Sequence, residues 1–196
     1  IRKVIARRAA MEIHENDFVN FGIGIPTDIS AVLNEEGLTD KVVLSIESGA
    51  TGGVPASGLA TGAAYNPDCI IKQPDIFDYY NGGGIDVACL GGAQIDRNGN
   101  VNVSKFAGRT PGPGGFINIT QNAKTVCFTG TFAAGKSDIR IEDNKLNIIT
   151  DAPNIKFVNK VDHITFSGEY ASLGGHQNVL YITERAVFRL ADGNLI

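Results

Sequence analysis

Lys41-Val42-Val43-Leu44-Ser45-Ile46-Glu47-Ser48-Gly49-Ala50-Thr51-Gly52-Gly53 joins an apolar run to a single acid and then to a loop almost free of bulky side chains. The run 41–46 predicts a buried strand, and Glu47 falls at its carboxyl end. In open α/β sheets ligands bind outside that end of the strands. A carboxylate there, facing glycines that let a ligand approach the main chain, is the leading candidate for a reactive group. A surface glutamate capping a turn is the plain alternative.

Working outward, the chain alternates strand and helix signals. Ile1, Val4, Ile5, Ala9 and Ile13 keep helical spacing over 1–15, and 18–25 reads as a buried strand running into a Gly/Pro turn. Thr27 or Asp28 then caps a helix that stops near Gly37. Downstream, Pro74 opens a helix broken at Gly82-Gly83-Gly84, and 85–90 is a further strand. Asn98-Gly99 predicts a hairpin between 93–97 and 100–104, and Asp143-Asn144 hinges a second between 139–142 and 145–150. A short helix over 117–122 and strands at 125–131, 161–166, 179–183 and 186–190 complete the pattern. The β-α-β rhythm implies right-handed crossovers in one α/β domain over 1–196. Its expected architecture is an open mixed, mostly parallel sheet with flanking helices and antiparallel hairpins.

Composition narrows the function. The chain is 43% hydrophobic and 19% charged with a formal charge of −4, and no apolar run is long enough to cross a membrane. No Lys/Arg cluster forms a stripe that would track phosphates, so nucleic acid is not an expected partner. Cys69, Cys89 and Cys127 are scattered in apolar contexts and read as buried free thiols of a reducing compartment, which points to the cytoplasm. Ile1 is not a methionine, and no closing element is evident at Ile196, so a piece of a longer polypeptide is expected.

Several familiar chemistries fail on spacing. Gly22-Ile23-Gly24-Ile25-Pro26 follows a strand, but it lacks the third glycine of a dinucleotide fingerprint, and no GxxxxGK[ST] occurs. His14, His163 and His176 stand apart with no metal-ligand spacing; His14 reads as solvated and His163 as a strand residue, and only His176 has a loop setting that could line a site. Ile46-Glu47-Ser48-Gly49 is not a serine nucleophile elbow. That leaves Glu47. A carboxylate can form a covalent acyl intermediate. Glycine main chain supplies N–H donors for the charge that develops on an acyl oxygen.

Taken in order, Phe21-Gly22-Ile23-Gly24-Ile25-Pro26, Ile46–Gly53, Gly82–Asp86, Gly99–Ser104, Gly112–Phe116 and Tyr181–Phe188 resemble the carboxyl-terminal (beta-type) half of family I coenzyme A transferases. The resemblance is nearest to the acetate/propionate and short-chain 3-oxoacid branch. It implies that Glu47 forms an acyl anhydride and then a glutamyl-CoA thioester. It implies also that Asn20 and Gly115 supply main-chain donors around that thioester. Gly49 and Gly52 would leave room for the acyl group, with Gly24, Gly53 and Gly114 beside them. Gly83 and Gly84 would touch pantetheine or simply end a helix, and Asn102 and Ser104 would orient a carboxylate or a CoA amide. Coenzyme A is then a substrate, alongside short carboxylic acids, with no permanent cofactor and no metal. The amino-terminal (alpha-type) half of the family is absent from these residues, so a partner half and an oligomer are expected. An acyl-CoA hydrolase using the same glutamate, and a non-catalytic CoA-binding or assembly domain, are the alternatives.

Overall fold

The computed structural model describes residues 1–56, 60, 62–173 and 177–196. Five helices are placed among them: α1 (Arg2–Ala10), α2 (Asp28–Glu35), α3 (Gln73–Asn81), α4 (Phe116–Gln121) and α5 (Gly168–Ser172). The main sheet, counted over the described residues, has nine strands. Its centre runs Asn178–Ile182, Thr125–Thr129, Val87–Leu90, Phe18–Phe21, Val43–Ser45, all parallel. Antiparallel strands extend both sides: Val187–Ala191 and Asn194–Leu195 at one edge, Ala50–Thr51 and Cys69–Ile70 at the other.

Strand alternation divides the apolar residues into two cores. Ala88, Leu90, Val126, Phe128, Val179 and Tyr181 face α3, α4 and α5, where Ile76, Tyr80, Phe116 and Ile119 meet them. Their neighbours Val87, Cys89, Cys127, Leu180 and Ile182 face α1 and α2, which bring Ile5, Ala9, Ile29 and Leu33. Such continuous apolar runs are what a parallel sheet covered on both faces requires. Phe128 is the hub of the first core, its ring 5.9 Å from Phe116, 5.0 Å from Phe166 and 5.3 Å from Tyr181.

The two helix layers reverse the winding. α2 crosses from Phe18–Phe21 to Val43–Ser45 on one face, whereas α4 crosses from Val87–Leu90 to Thr125–Thr129 on the other. Right-handed crossovers on opposite faces carry the chain in opposite directions along the sheet. The reversal falls between Phe18–Phe21 and Val87–Leu90. Their carboxyl ends diverge there after the Gly22 N–H donates to the Cys89 carbonyl at 2.8 Å.

Several sequence expectations are corrected. Segment 161–166 is not a strand: Val161 and Phe166 are both buried, and only Phe166 makes a bridge, to Val101. It is a strap held by the Val161 N–H to the Asp96 carboxylate and the Asp162 N–H to Gln94 Oε1, and His163 within it is exposed. The helix expected over 1–15 ends at Ala10. Cys69 is exposed, while Cys89 and Cys127 are buried free thiols. Both hairpins form. In the second, Asp143 and Asn144 take φ of 52° and 59°, the left-handed pair that a tight hairpin turn demands. His176 lies outside the described residues.

Candidate active site

Glu47 leaves the sheet two residues after Ser45, at the carboxyl end of Val43–Ser45. The glycine-rich stretch behind it is a folded hairpin rather than an open loop. The Ile46 N–H donates to Ala50, the Gly49 N–H to Ile46 and the Gly52 N–H to Leu44. Gly49 has φ of 106°, and a Cβ there would run into the Ile71 carbonyl. A Cβ on Gly52 would strike the Asp68 carboxylate, and one on Gly53 the carbonyls of Tyr65 and Asn66. These glycines therefore let the 65–71 segment lie against the hairpin and hold its acid in place. They do not clear space for an acyl group, which corrects the expectation for Gly49, Gly52 and Gly53.

The half-buried Glu47 carboxyl lies against α3 and the start of α4. A Cβ built on Gly115 would stand 2.5 Å from Glu47 Oε2 and 2.8 Å from Phe77 Cζ, so the acid packs on bare main chain. Burial pushes the Glu47 carboxyl above its ordinary range. Phe77 is in edge-on contact with Tyr80 at 5.6 Å. The Tyr80 hydroxyl accepts from Asn20 Nδ2 at 3.1 Å and donates to Ser45 Oγ at 3.2 Å. Burial raises the Tyr80 hydroxyl, and the charge on Glu47 adds to the rise. Asn20 also donates to the Ser45 carbonyl at 3.3 Å, and its Oδ1 has no partner among the described residues. This buried knot ties α3 to the strand that carries the acid and to its parallel neighbour Phe18–Phe21.

In front of Glu47 opens a cleft of about 1130 Å³. Gly22, Gly91 and Gly92 form its floor at the carboxyl ends of Phe18–Phe21 and Val87–Leu90, the point where the winding reverses. The 111–115 loop, Phe106 and Phe116 line its walls together with residues 154–156. Glu47, Asp162 and Lys156 are the ionisable groups among its described lining residues. The Gly115 N–H precedes the first intrahelical bond of α4, which runs from the Ile119 N–H to the Gly115 carbonyl; it belongs to the donors that a helix start leaves free.

Of the residues expected at the site, Glu47, Gly114 and Gly115 line this cleft. Asn20 does not. It is 1% exposed, and its main chain is flanked by Ser45 and Ala88 in adjacent strands, so it supports the floor from beneath instead of presenting a donor. Gly24 is exposed beyond the floor, and its carbonyl accepts from Arg2 and Thr27. Gly83 and Gly84 end α3 at the amino side of Val87–Leu90, the wrong end of the sheet, where a Cβ on Gly84 would strike the Tyr79 ring. Asn102 is fully buried and holds its own turn, donating to Gln94 and Lys105 and accepting from the Ser104 N–H. Ser104 pairs with Thr165 at 2.7 Å. Both are structural. Sequence reading passed over Gly91, Gly92 and Lys156; a glycine pair directly after a strand was the available signal for the first two.

These features define an open, mostly parallel α/β domain whose winding reversal carries a desolvated carboxyl beside bare glycine main chain. The coenzyme A transferase family model matches residues 2–168, and the chain belongs to that family. It is 47% identical to caffeate CoA-transferase of Acetobacterium woodii, over 99% of this chain and 38% of that protein. It is 43% identical to acetate CoA-transferase YdiF of Escherichia coli K12, over 99% of this chain and 36% of that protein. The apoenzyme crystal structure of YdiF from Escherichia coli O157:H7 superimposes with a TM-score of 0.92 at 42% identity, covering 99% of this chain and 36% of that one. The chain thus spans a little over a third of these relatives. It is also 33% identical to the acetate CoA-transferase subunit beta of Haemophilus influenzae, over all of this chain and 81% of that subunit.

Proposed function

We propose that this chain is the nucleophile-bearing half of an acyl-CoA:carboxylate CoA-transferase. It moves coenzyme A from a short-chain acyl-CoA to an acceptor such as acetate, propionate or a 3-oxoacid. The Glu47 carboxylate attacks the acyl-CoA carbonyl, forming an acyl-glutamyl anhydride and releasing CoA thiolate. The thiolate attacks the glutamyl carbonyl of that anhydride, freeing the first acid and leaving a glutamyl-CoA thioester. The acceptor carboxylate attacks this thioester, and the thiolate returns to the new acyl group, restoring Glu47. The order is ping-pong, and activation passes between anhydride and thioester without outside energy.

One observation carries this reading: the Glu47 carboxyl lies on the bare main chain of Gly115 in the wall of the cleft. The Gly115 N–H is available for the oxyanion of each tetrahedral intermediate. Desolvation withholds from the carboxylate the water that would blunt its attack. The relative YdiF has been crystallised as a thioester complex with CoA, in a structure 42% identical here, which supports the same covalent state on Glu47. Because the cleft is open on this chain's side, the remaining wall belongs to an amino-terminal (alpha-type) half. The complete assembly is an oligomer of such pairs, working in a reducing cytoplasm in which Cys89 and Cys127 stay as thiols.

The test combines this chain with an alpha-type half and acyl-CoA, traps with borohydride, and maps the reduced peptide by mass. Reduction at Glu47 is expected. A modified residue elsewhere, or turnover retained in Glu47→Ala, removes the covalent role. Thiol release without any acceptor acid would identify a hydrolase.

A further inference from the structure

Lys156 is the one basic group among the described residues that line the cleft. Its main chain is pinned on both sides, the N–H donating to the Phe132 carbonyl at 3.2 Å and the carbonyl accepting from Ile95 at 2.8 Å. This lays the side chain across the end of Thr125–Thr129, with Nζ 3.1 Å from the place a Cβ on Gly130 would occupy. A methyl there would press on the ammonium and move it by a few tenths of an ångström. Glu184, the acid whose charge acts on it, is occupied elsewhere: Oε2 accepts from the Phe132 N–H at 2.9 Å and Oε1 from Arg185 Nε at 2.9 Å. Burial lowers the Lys156 ammonium, opposed by the charge on Glu184. A half-buried cation with no ion pair among the described residues, facing a cleft, is completed by an anion from outside.

Thr125–Thr129 and Val43–Ser45 are three strand positions apart, so Gly130, against which the Lys156 ammonium lies, and the segment carrying Glu47 follow strand ends about 14 Å from each other. The ammonium and the carboxyl thus bound the cleft at opposite ends. We propose that Lys156 is an anion subsite of this cleft, receiving the distal oxyanion of a substrate whose reacting carbon sits at Glu47. The proposal deepens the acyl-transfer reading and rests on it for the position of that carbon. Two sources carry this chemistry: the second carboxylate of a dicarboxylic acid, and a phosphate of coenzyme A.

Lys156→Met keeps the apolar stem and removes the charge; Lys156→Gln serves if that variant does not fold. In the reconstituted two-half protein, kcat/KM is measured for glutarate against butyrate as acceptors, and for acyl-CoA against acyl-pantetheine as donors. A fall of roughly 10- to 100-fold in the glutarate-to-butyrate ratio identifies the carboxylate source, the size expected for one charged hydrogen bond. An equal fall in the acyl-CoA-to-acyl-pantetheine ratio identifies the phosphate. Both ratios holding within about twofold overturns the subsite, whatever the fate of Glu47. If wild type transfers nothing, the acyl-transfer reading fails separately. Calorimetric titration with glutarate, butyrate and pyrophosphate then decides Lys156 alone: weaker anion binding in the variant supports it, and equal binding ends it.

Discussion

Gly115→Ala isolates the contact on which the proposed chemistry rests. Gly115 has φ of −79° and ψ of 0°, which alanine adopts freely, so main-chain strain plays no part. The added methyl would stand 2.5 Å from Glu47 Oε2, 2.9 Å from Glu47 Cδ and 2.8 Å from Phe77 Cζ. Restoring ordinary contact at about 3.4 Å moves the carboxylate by roughly 0.9 Å, since Phe77 blocks retreat of the methyl. A displacement of that size costs about 10²-fold in a positioned reaction, or about 2.7 kcal/mol of barrier. The expected result in a reconstituted protein is a kcat/KM near 1% of wild type, with kcat bearing the loss. Alanine is also a poorer residue than glycine at a helix start, so the melting midpoint falls by a few degrees. Steady-state kinetics, a thermal melt and a crystal structure of the variant decide the matter together. A structure with the methyl in place and kcat/KM within twofold of wild type would refute the claim that Glu47 and Gly115 act as one site.

Glu47→Gln should abolish transfer and raise stability at neutral pH. Burial raises the folded-state pKa of Glu47, so the native fold favours the protonated form. Its contribution is fully present below the ordinary glutamate pKa and lost as pH rises through the folded value. Denaturant melts across pH 4 to 8 should show the variant's advantage growing with pH and vanishing at the acid end. Tyr80→Phe strips the hydroxyl from a fully buried knot with Asn20 and Ser45 and should cost about 1–3 kcal/mol in urea unfolding. Gly99→Ala forces a methyl to 2.6 Å from Leu190 Cδ1 and 2.7 Å from the Tyr181 hydroxyl, at φ of 73°; a loss of about 2–4 kcal/mol is expected by the same assay. Phe128→Ala, at the hub of the aromatic core, should cost about 3–5 kcal/mol.

The strand leading to Glu47 was legible because an apolar run stops abruptly at an acid and glycines. The 111–115 loop was legible because Pro and Gly alternate there with nothing to bury. Segment 161–166 misled, since an apolar residue at each end imitates a strand while its first two N–H groups go to the Asp96 and Gln94 side chains and only its last residues bond to the Val101 main chain. Asn102 misled for a related reason. A buried amide that satisfies its own turn has the same letters as one waiting for a ligand, and only its partners, Gln94 and Lys105, tell the two apart. Gly49, Gly52 and Gly53 were read as positions where a ligand approaches the main chain, but what lies against them is the protein's own 65–71 segment. Lys156 could not have been found from its neighbours in sequence. Its place in the cleft depends on hydrogen bonds to Phe132 and Ile95, far along the chain.

The parallel centre of the sheet also sets a clock. Val19 pairs with Val87, roughly 70 residues later, so at ribosomal speeds of ~5–20 residues per second the first strand waits roughly 3–14 s for its inner neighbour. Until that neighbour arrives the floor of the cleft does not exist, and Glu47 remains an ordinary hydrated acid on a nascent chain. The reactivity proposed for Glu47 thus waits on synthesis at least as far as Gly115, the main chain on which its carboxyl packs.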